Sequence, residues 1–251
     1  MKNSVLKNCI VWLTTIALIC AVWIVAHKIV GNELILPDFF ESVKGIGGLF
    51  SSATFWRAFG GTLLRVLRAF FISFIFAVIT AVIAYLLPAF SKIFAPITAI
   101  FRSVPTLAIL LIVLLATNAD GAPVVVAFFT LFPTLYAGVY AALCQVDSGL
   151  VEMSKVYNVP LYKRVFSLYV PCTLPYVARV SAGALSLALK LVASAEVLAS
   201  TFQSVGGMMQ DAKNALDTPL LFALLIVTVC LGLVLEGLGA LIAYFVERGR
   251  K

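Results

Sequence analysis

The chain has 251 residues, 63% of them hydrophobic and 12% charged, with a formal net charge of +7. Soluble chains hold about 45–50% apolar residues, so a soluble domain on a single anchor is excluded and one all-α polytopic membrane domain, residues 1–251, is expected. The positive balance fits lysines and arginines beside anionic lipid and calls for no nucleic acid.

Lys2 and Lys7 precede an apolar run over 10–30. The run is too long for a signal-peptide core and has no clear small-residue cleavage site, so it reads as a first transmembrane helix with a cytoplasmic N-terminus. After Leu36-Pro37, the stretch 38–51 places Phe39, Phe40, Val43, Ile46, Leu49 and Phe50 at helical intervals. It predicts an amphipathic helix on the outer surface, with Trp56 as an interfacial aromatic. Arg57, Arg65 and Arg68 lead into a second span over 59–87. This topology puts those arginines outside, against the positive-inside rule, and leaves only a weak inward bias of basic residues.

A third span is expected over 93–116 and a fourth over 122–143, joined by the turn Thr117-Asn118-Ala119-Asp120-Gly121. Pro133 in the fourth is tolerated where neighbouring helices satisfy the freed carbonyl. The fifth, 175–200, is rich in small residues, among them Ser181, Ala182, Gly183, Ala184, Ser186 and Ala188. Such residues let helices approach closely in lipid, so this span is expected to be central. Gly206-Gly207 opens an outer loop, and the sixth span, 220–245, ends in a basic tail, Arg248, Arg250 and Lys251. Six spans place both termini in the cytoplasm.

One polar segment, 147–171, interrupts this pattern between the fourth and fifth spans. Asp147 can cap a short helix by accepting first-turn N–H groups. Leu150, Met153 and Tyr157 then share one face, at spacings of three and four. Asn158 can take the left-handed conformation that ends a helix, and Pro160 suits the first turn of the next. There Leu161, Val165 and Leu168 line one side while Lys163 and Arg164 stay solvated, and Pro171 and Pro175 bend the chain back into the membrane.

The same segment carries a resemblance. Glu152, Asn158, Leu168 and Val170-Pro171 stand at the spacing of the cytoplasmic signature of ABC-importer permeases: Glu-Ala-Ala, three residues, Gly, nine residues, Ile, one residue, Leu-Pro. Met153-Ser154 replaces Ala-Ala, and Asn158 replaces Gly. Asparagine is the best non-glycine choice for a left-handed position, so the turn survives. Further stretches resemble the nitrate/sulfonate/taurine branch of these permeases: Leu36-Pro37, Thr62-Leu63-Leu64-Arg65-Val66, Arg102-Ser103-Val104-Pro105, Phe132-Pro133-Thr134, Ala195-Glu196, and Gly206-Gly207 with Asp211-Ala212. The similarity runs from about residue 34 to the end of the chain.

The resemblance implies a type I importer permease fold in a bacterial cytoplasmic (inner) membrane. Two permease chains, a homodimer or a heterodimer with a related chain, surround a central path. ATP-binding subunits dock beneath and grip the coupling helix, making Leu150, Glu152, Met153, Tyr157, Asn158 and Pro171 the coupling residues. A soluble or lipid-anchored binding protein delivers the solute, a sulfonate-, nitrate- or taurine-like anion or a thiamine-pyrimidine-type precursor. The permease itself does no covalent chemistry. ATP belongs to the partner subunit, and the chain has no GxxxxGK[ST] loop.

Ionisable groups inside the spans are the remaining candidates, since charge in a bilayer is costly and points to function. Arg102 is read as a structural or gating residue, either snorkelling or bonded to a backbone carbonyl freed near Pro105. Lys190, with Ser186 and Ser194 four residues away, can meet an anionic solute or pair with a buried acid such as Glu236. Glu196, six residues beyond Lys190, points elsewhere on a regular helix and is the more structural of the two. Arg102, Lys190 and Glu196 are the translocation-path candidates. His27 is the only histidine and none of the five cysteines is paired at metal spacing, so no metal site or cofactor is expected. A membrane-embedded enzyme would need several ligands or a nucleophile–base pair at one depth. A stand-alone secondary transporter would be expected to carry an internal repeat and would leave the polar segment unexplained.

Overall fold

The computed structural model describes residues 2–248; Arg250 and Lys251 of the expected basic tail lie outside the described residues. These residues form helices throughout, in the order α1 (Lys2–Val30), α2 (Phe39–Phe50), α3 (Ala53–Leu86), α4 (Pro88–Ser103), α5 (Thr106–Ala116), α6 (Ala122–Cys144), α7 (Ser148–Val156), α8 (Leu161–Arg164), a π-helical turn (Val165–Tyr169), α9 (Val170–Ala199), α10 (Val205–Asn214) and α11 (Thr218–Arg248).

The main core lies where α3, α6 and α9 meet. Ala69, Ser73, Ala77, Ala81 and Ala84 form a stripe of buried small residues along α3, at spacings of three and four. Leu131, Leu135, Tyr136 and Val139 of α6 fill the facing side, with Ala184, Ala188 and Val192 of α9 beyond. Small residues set the helix spacing here, as close packing in lipid requires. A Cβ on Gly138 would stand 2.6 Å from Val180 Cγ1, and one on Gly239 would stand 2.7 Å from the Cα of Ala182. A second cluster joins α2, the start of α3, α10 and α11 through Leu49, Phe55, Val205, Met209 and Leu224. The connection from α1 is tied down by Trp23, whose Nε1–H donates to Pro37 O at 3.1 Å, and by His27 Nδ1, 2.8 Å from Leu36 O.

Among the described residues, four helical stretches are long and apolar enough to cross a membrane: Ala53–Leu86, Ala122–Cys144, Leu161–Ala199 and Thr218–Arg248. A fifth requires α4 and α5 to count as one span. The continuous helix expected over 93–116 is instead two helices bent by 92°. Val104 between them is extended, with φ −73° and ψ 128°. Proline disfavours the α conformation in the residue before it and brings no N–H to continue the ladder, so Pro105 breaks the helix. α1 carries a shorter apolar helix over Thr14–Val30.

Two further boundaries move. The helix of the second span starts at Ala53, so Arg57, Arg65 and Arg68 are part of α3. The fifth helix begins at Leu161, because Pro171 and Pro175 do not bend the chain away. Val170 N–H bonds back to Val165 O across the π turn. The widened turn lies immediately before Pro171, whose missing N–H would otherwise interrupt the ladder. The result is one helical rod of 39 residues from Leu161 to Ala199.

Candidate functional site

At the Leu161 end of the rod, α7 is built as a short projecting helix. Asp147 Oδ1 accepts from Gly149 N–H at 2.8 Å, capping its start as expected. Asn158 has φ 51°. Its N–H donates to Lys155 O at 2.9 Å, and Val159 N–H donates to Ser154 O at 3.0 Å. Those two bonds around a left-handed residue are the Schellman ending, which satisfies the last carbonyls and fixes the angle to Pro160 and α8.

No side chain of α7 is buried. Leu150, Met153 and Tyr157 all face outward, Tyr157 at 75% exposure, and Glu152 is exposed as well. The apolar surface is wider than the sequence pattern predicts, because Val156 (77% exposed), Leu161, Tyr162 and Phe166 extend it. Pro171 is exposed inside the rod. Arg164 departs from the solvated position expected of it: Nη2 donates to Val159 O at 3.1 Å, and Nε is buried. It braces the back of the turn.

The three path candidates go to three different places. Arg102, on α4, donates from Nη2 to Pro133 O at 2.9 Å. Its partner is therefore a backbone carbonyl, but one of α6. Lys190 is exposed about two-thirds of the way along α9, on the side that also exposes Gly183 and Ser194. Ser186 is buried and turned toward Gly232. Among the described residues no carboxylate lies within ion-pair distance of Lys190. Glu236 instead lines a groove of about 370 Å³ between α9 and α11, together with Arg179, Gly183 and Glu247. Arg179 Nε there meets Glu247 Oε1 at 2.5 Å.

Glu196 is fully buried. Its Oε2 accepts from Thr62 Oγ1 at 2.8 Å and from Gly206 N–H at 3.3 Å, and its Oε1 lies 3.2 Å from Arg65 Nη1. Within this chain the carboxylate thus has no open face. Arg65 continues outward to Asp120 Oδ1 at 2.8 Å. Thr62 also accepts from Val205 N–H at 2.9 Å. α3, α9, α10 and the α5–α6 turn therefore meet at one charged node at the Ala199 end of the rod. Gly206 makes the approach possible: a Cβ there would stand 2.5 Å from the Cβ of Glu196 and 2.7 Å from Ala193 O. Arg65, Thr62 and Asp120 are the node residues that the sequence reading missed. The available signals were charge in or beside apolar spans and the place of Thr62 and Arg65 in a stretch that resembles the permease branch; neither pairs residues, and 131 positions separate Arg65 from Glu196.

Among the described residues, no group of three or more His, Cys, Asp or Glu side chains could hold a metal ion.

Comparison with known proteins places this geometry. Residues 74–248 match the family described as "Binding-protein-dependent transport system inner membrane component". The chain is 25% identical over 235 residues to the taurine transport system permease protein TauC of Escherichia coli K12, covering 90% of this chain and 85% of that protein. It is 24% identical over 181 residues to a probable ABC transporter permease protein of Haemophilus influenzae, covering 72% and 74%. Its fold is similar to a chain of the inward-facing MetNI methionine ABC transporter, with a TM-score of 0.68 at 19% identity over 77% of this chain and 96% of that one. It is also similar to a chain of an amino acid ABC transporter solved with histidines, with a TM-score of 0.61 at 16% identity over 84% and 98%.

Proposed function

This chain belongs to the family of inner membrane components of binding-protein-dependent transport systems, the ABC-importer permeases, and from that premise we propose how it couples and what it carries. As a permease subunit it moves a solute without covalent chemistry. Partner ATP-binding subunits hold the nucleotide and dock on α7, and the chain holds no cofactor of its own. The observation that carries this reading is the face of Leu150, Met153, Val156 and Tyr157. It sits on a helix capped at both ends and has no partner among the described residues. A rigid apolar helix face of that length suits a protein groove. α7 thereby marks the cytoplasmic side. With the Ala199 end of α9 on the other side, counting α1 and the bent α4–α5 pair as one crossing each alongside α3, α6, α9 and α11 puts both termini on the cytoplasmic side.

Two copies pair around the path. The exposed α9 face of Gly183, Lys190 and Ser194 supports this, because a lysine facing lipid at mid-span is expensive and a second chain or a water-filled path removes that cost. The solute we assign is a small organic anion of the sulfonate class. Lys190 supplies the counter-charge, and the likeness to a taurine permease points the same way.

The test is reconstitution of the chain with its ATPase and binding protein, followed by uptake of labelled sulfonates. Lys190→Met is expected to abolish uptake while the ATPase still co-purifies. Unchanged uptake would remove the anion assignment, and failure to assemble would make Lys190 part of a structural ion pair, since an unpaired buried charge destabilises the fold.

A further inference from the structure

Of the three arginines near the start of α3, Arg65 alone is neutralised within the chain, by Glu196 and Asp120. Arg57 and Arg68 are exposed, and among the described residues no carboxylate lies within ion-pair distance of either. The two share one stripe of the helix, three turns apart, with exposed Gly60 and Leu64 between them at spacings of three and four. This stripe lies opposite the buried small residues of α3, so it faces away from α6 and α9 and is not part of the open α9 face of Lys190.

Neighbouring groups set its depth. Arg68 is one turn deeper than Arg65, whose partner Asp120 is 65% exposed at the α5–α6 turn. Trp56 is fixed above Gly60: its Nε1–H donates to Phe50 O at 2.9 Å and its ring packs on Phe59. Aromatics of this kind mark the headgroup level. Below Arg68 the same stripe continues as Phe71 and Ile75, exposed and apolar. Side chains of a helix lean toward its N-terminus, so Arg68 can raise its guanidinium from the edge of the apolar layer to the headgroups. Gly60 leaves that surface open, since a Cβ there would meet nothing within 4 Å. Snorkelling alone would be indifferent to the lipid. Two guanidinium groups with no carboxylate between them favour a headgroup of net negative charge, and a guanidinium binds a phosphate through paired hydrogen bonds.

We propose that this stripe of α3 binds one anionic phospholipid of the outer leaflet, with the phosphate on Arg68, the headgroup over Gly60 beneath Arg57, and the acyl chains along Phe71 and Ile75. The site is independent of the sulfonate and coupling assignments and uses the permease reading only to say which leaflet is meant.

The experiment places the permease–ATPase complex in nanodiscs of phosphatidylethanolamine with a trace of phosphatidylglycerol carrying a diazirine on one acyl chain, and maps the adducts by peptide after photolysis. Labelling of α3 around Phe71 and Ile75 is read against labelling of the exposed apolar residues of α11, and ATPase co-purification checks assembly. A phosphatidylethanolamine probe with the same diazirine chain should label α3 about fivefold less, and Arg68→Gln should bring phosphatidylglycerol labelling down by about the same factor. Lys213→Gln, which removes an exposed cation on α10, should leave it unchanged. Equal labelling of α3 by the two probes, or labelling unmoved by Arg68→Gln, would overturn the site and reduce Arg68 to a snorkelling side chain. Labelling of α11 with none on α3 from either probe would also overturn it, because a protein surface would then cover the stripe.

Discussion

At its Leu161 end the α8–α9 rod meets a turn whose backbone groups are capped while its apolar side chains face outward. At its Ala199 end it meets a loop whose carboxylate, guanidinium and hydroxyls are satisfied inside the chain. The first end has a finished backbone and an unfinished surface, which is what a detachable partner needs. The second end has a buried ion pair, which is what holding four elements in one register needs. On the proposed docking, the contrast puts the detachable contact at the α7 end and the fixed one at the far end.

Breaking the far end should have the largest effect. Glu196→Ala leaves the Arg65 guanidinium, whose side chain is only 12% exposed, without its buried counter-charge. Removing one member of such a pair costs about 3–5 kcal/mol, so thermal unfolding of the purified chain in detergent should move sharply down. Arg65→Met with Glu196→Met should be less damaging than the sum of the two single changes. Additive losses would mean that the pair is not coupled.

Next comes the turn at the coupling end. Asn158→Val forces a β-branched residue to the left-handed φ of 51°. The strain is about 1–2 kcal/mol, and it either distorts the turn or swings α7 away from α8. ATPase co-purification should fall severalfold with chain stability nearly unchanged, and Asn158→Gly should behave as wild type. Equal docking by all three would detach the turn from coupling. The smallest effect is expected from Asp147→Ala, which removes the cap on Gly149. Loss of about 1 kcal/mol there should weaken docking up to about fivefold.

These two ends were unequally legible from sequence. Asp147, Asn158 and Pro160 act through neighbours two to five residues away, so composition and spacing alone placed the cap and the left-handed stop. The bend at Val104-Pro105 is also local, but its signal was overridden by a continuous hydrophobic run. Pro171 illustrates the reverse error. With Pro175 the proline was read as bending the chain back into the membrane, whereas the π turn before it absorbs the missing bond and the helix runs through. The pairing within the node could not be read, although Thr62, Arg65, Glu196 and Gly206 all stand in stretches that resemble the permease branch. Thr62, Arg65, Asp120, Glu196 and Gly206 come together only through tertiary packing, and nothing in the spacing of an apolar span says which charge faces which. The fold class was legible because it follows from hydropathy, and the pairing of charges was not because it follows from topology.

The central claim is that the exposed α7 face is the seat of the ATPase. A photo-crosslinking amino acid placed at position 153, in a complex assembled with the ATP-binding subunit and competent for uptake, tests it most directly. The account predicts a crosslink from position 153 to the ATP-binding subunit and none from position 115 at the end of α5. An assembled, active complex with no crosslink from position 153 would contradict it.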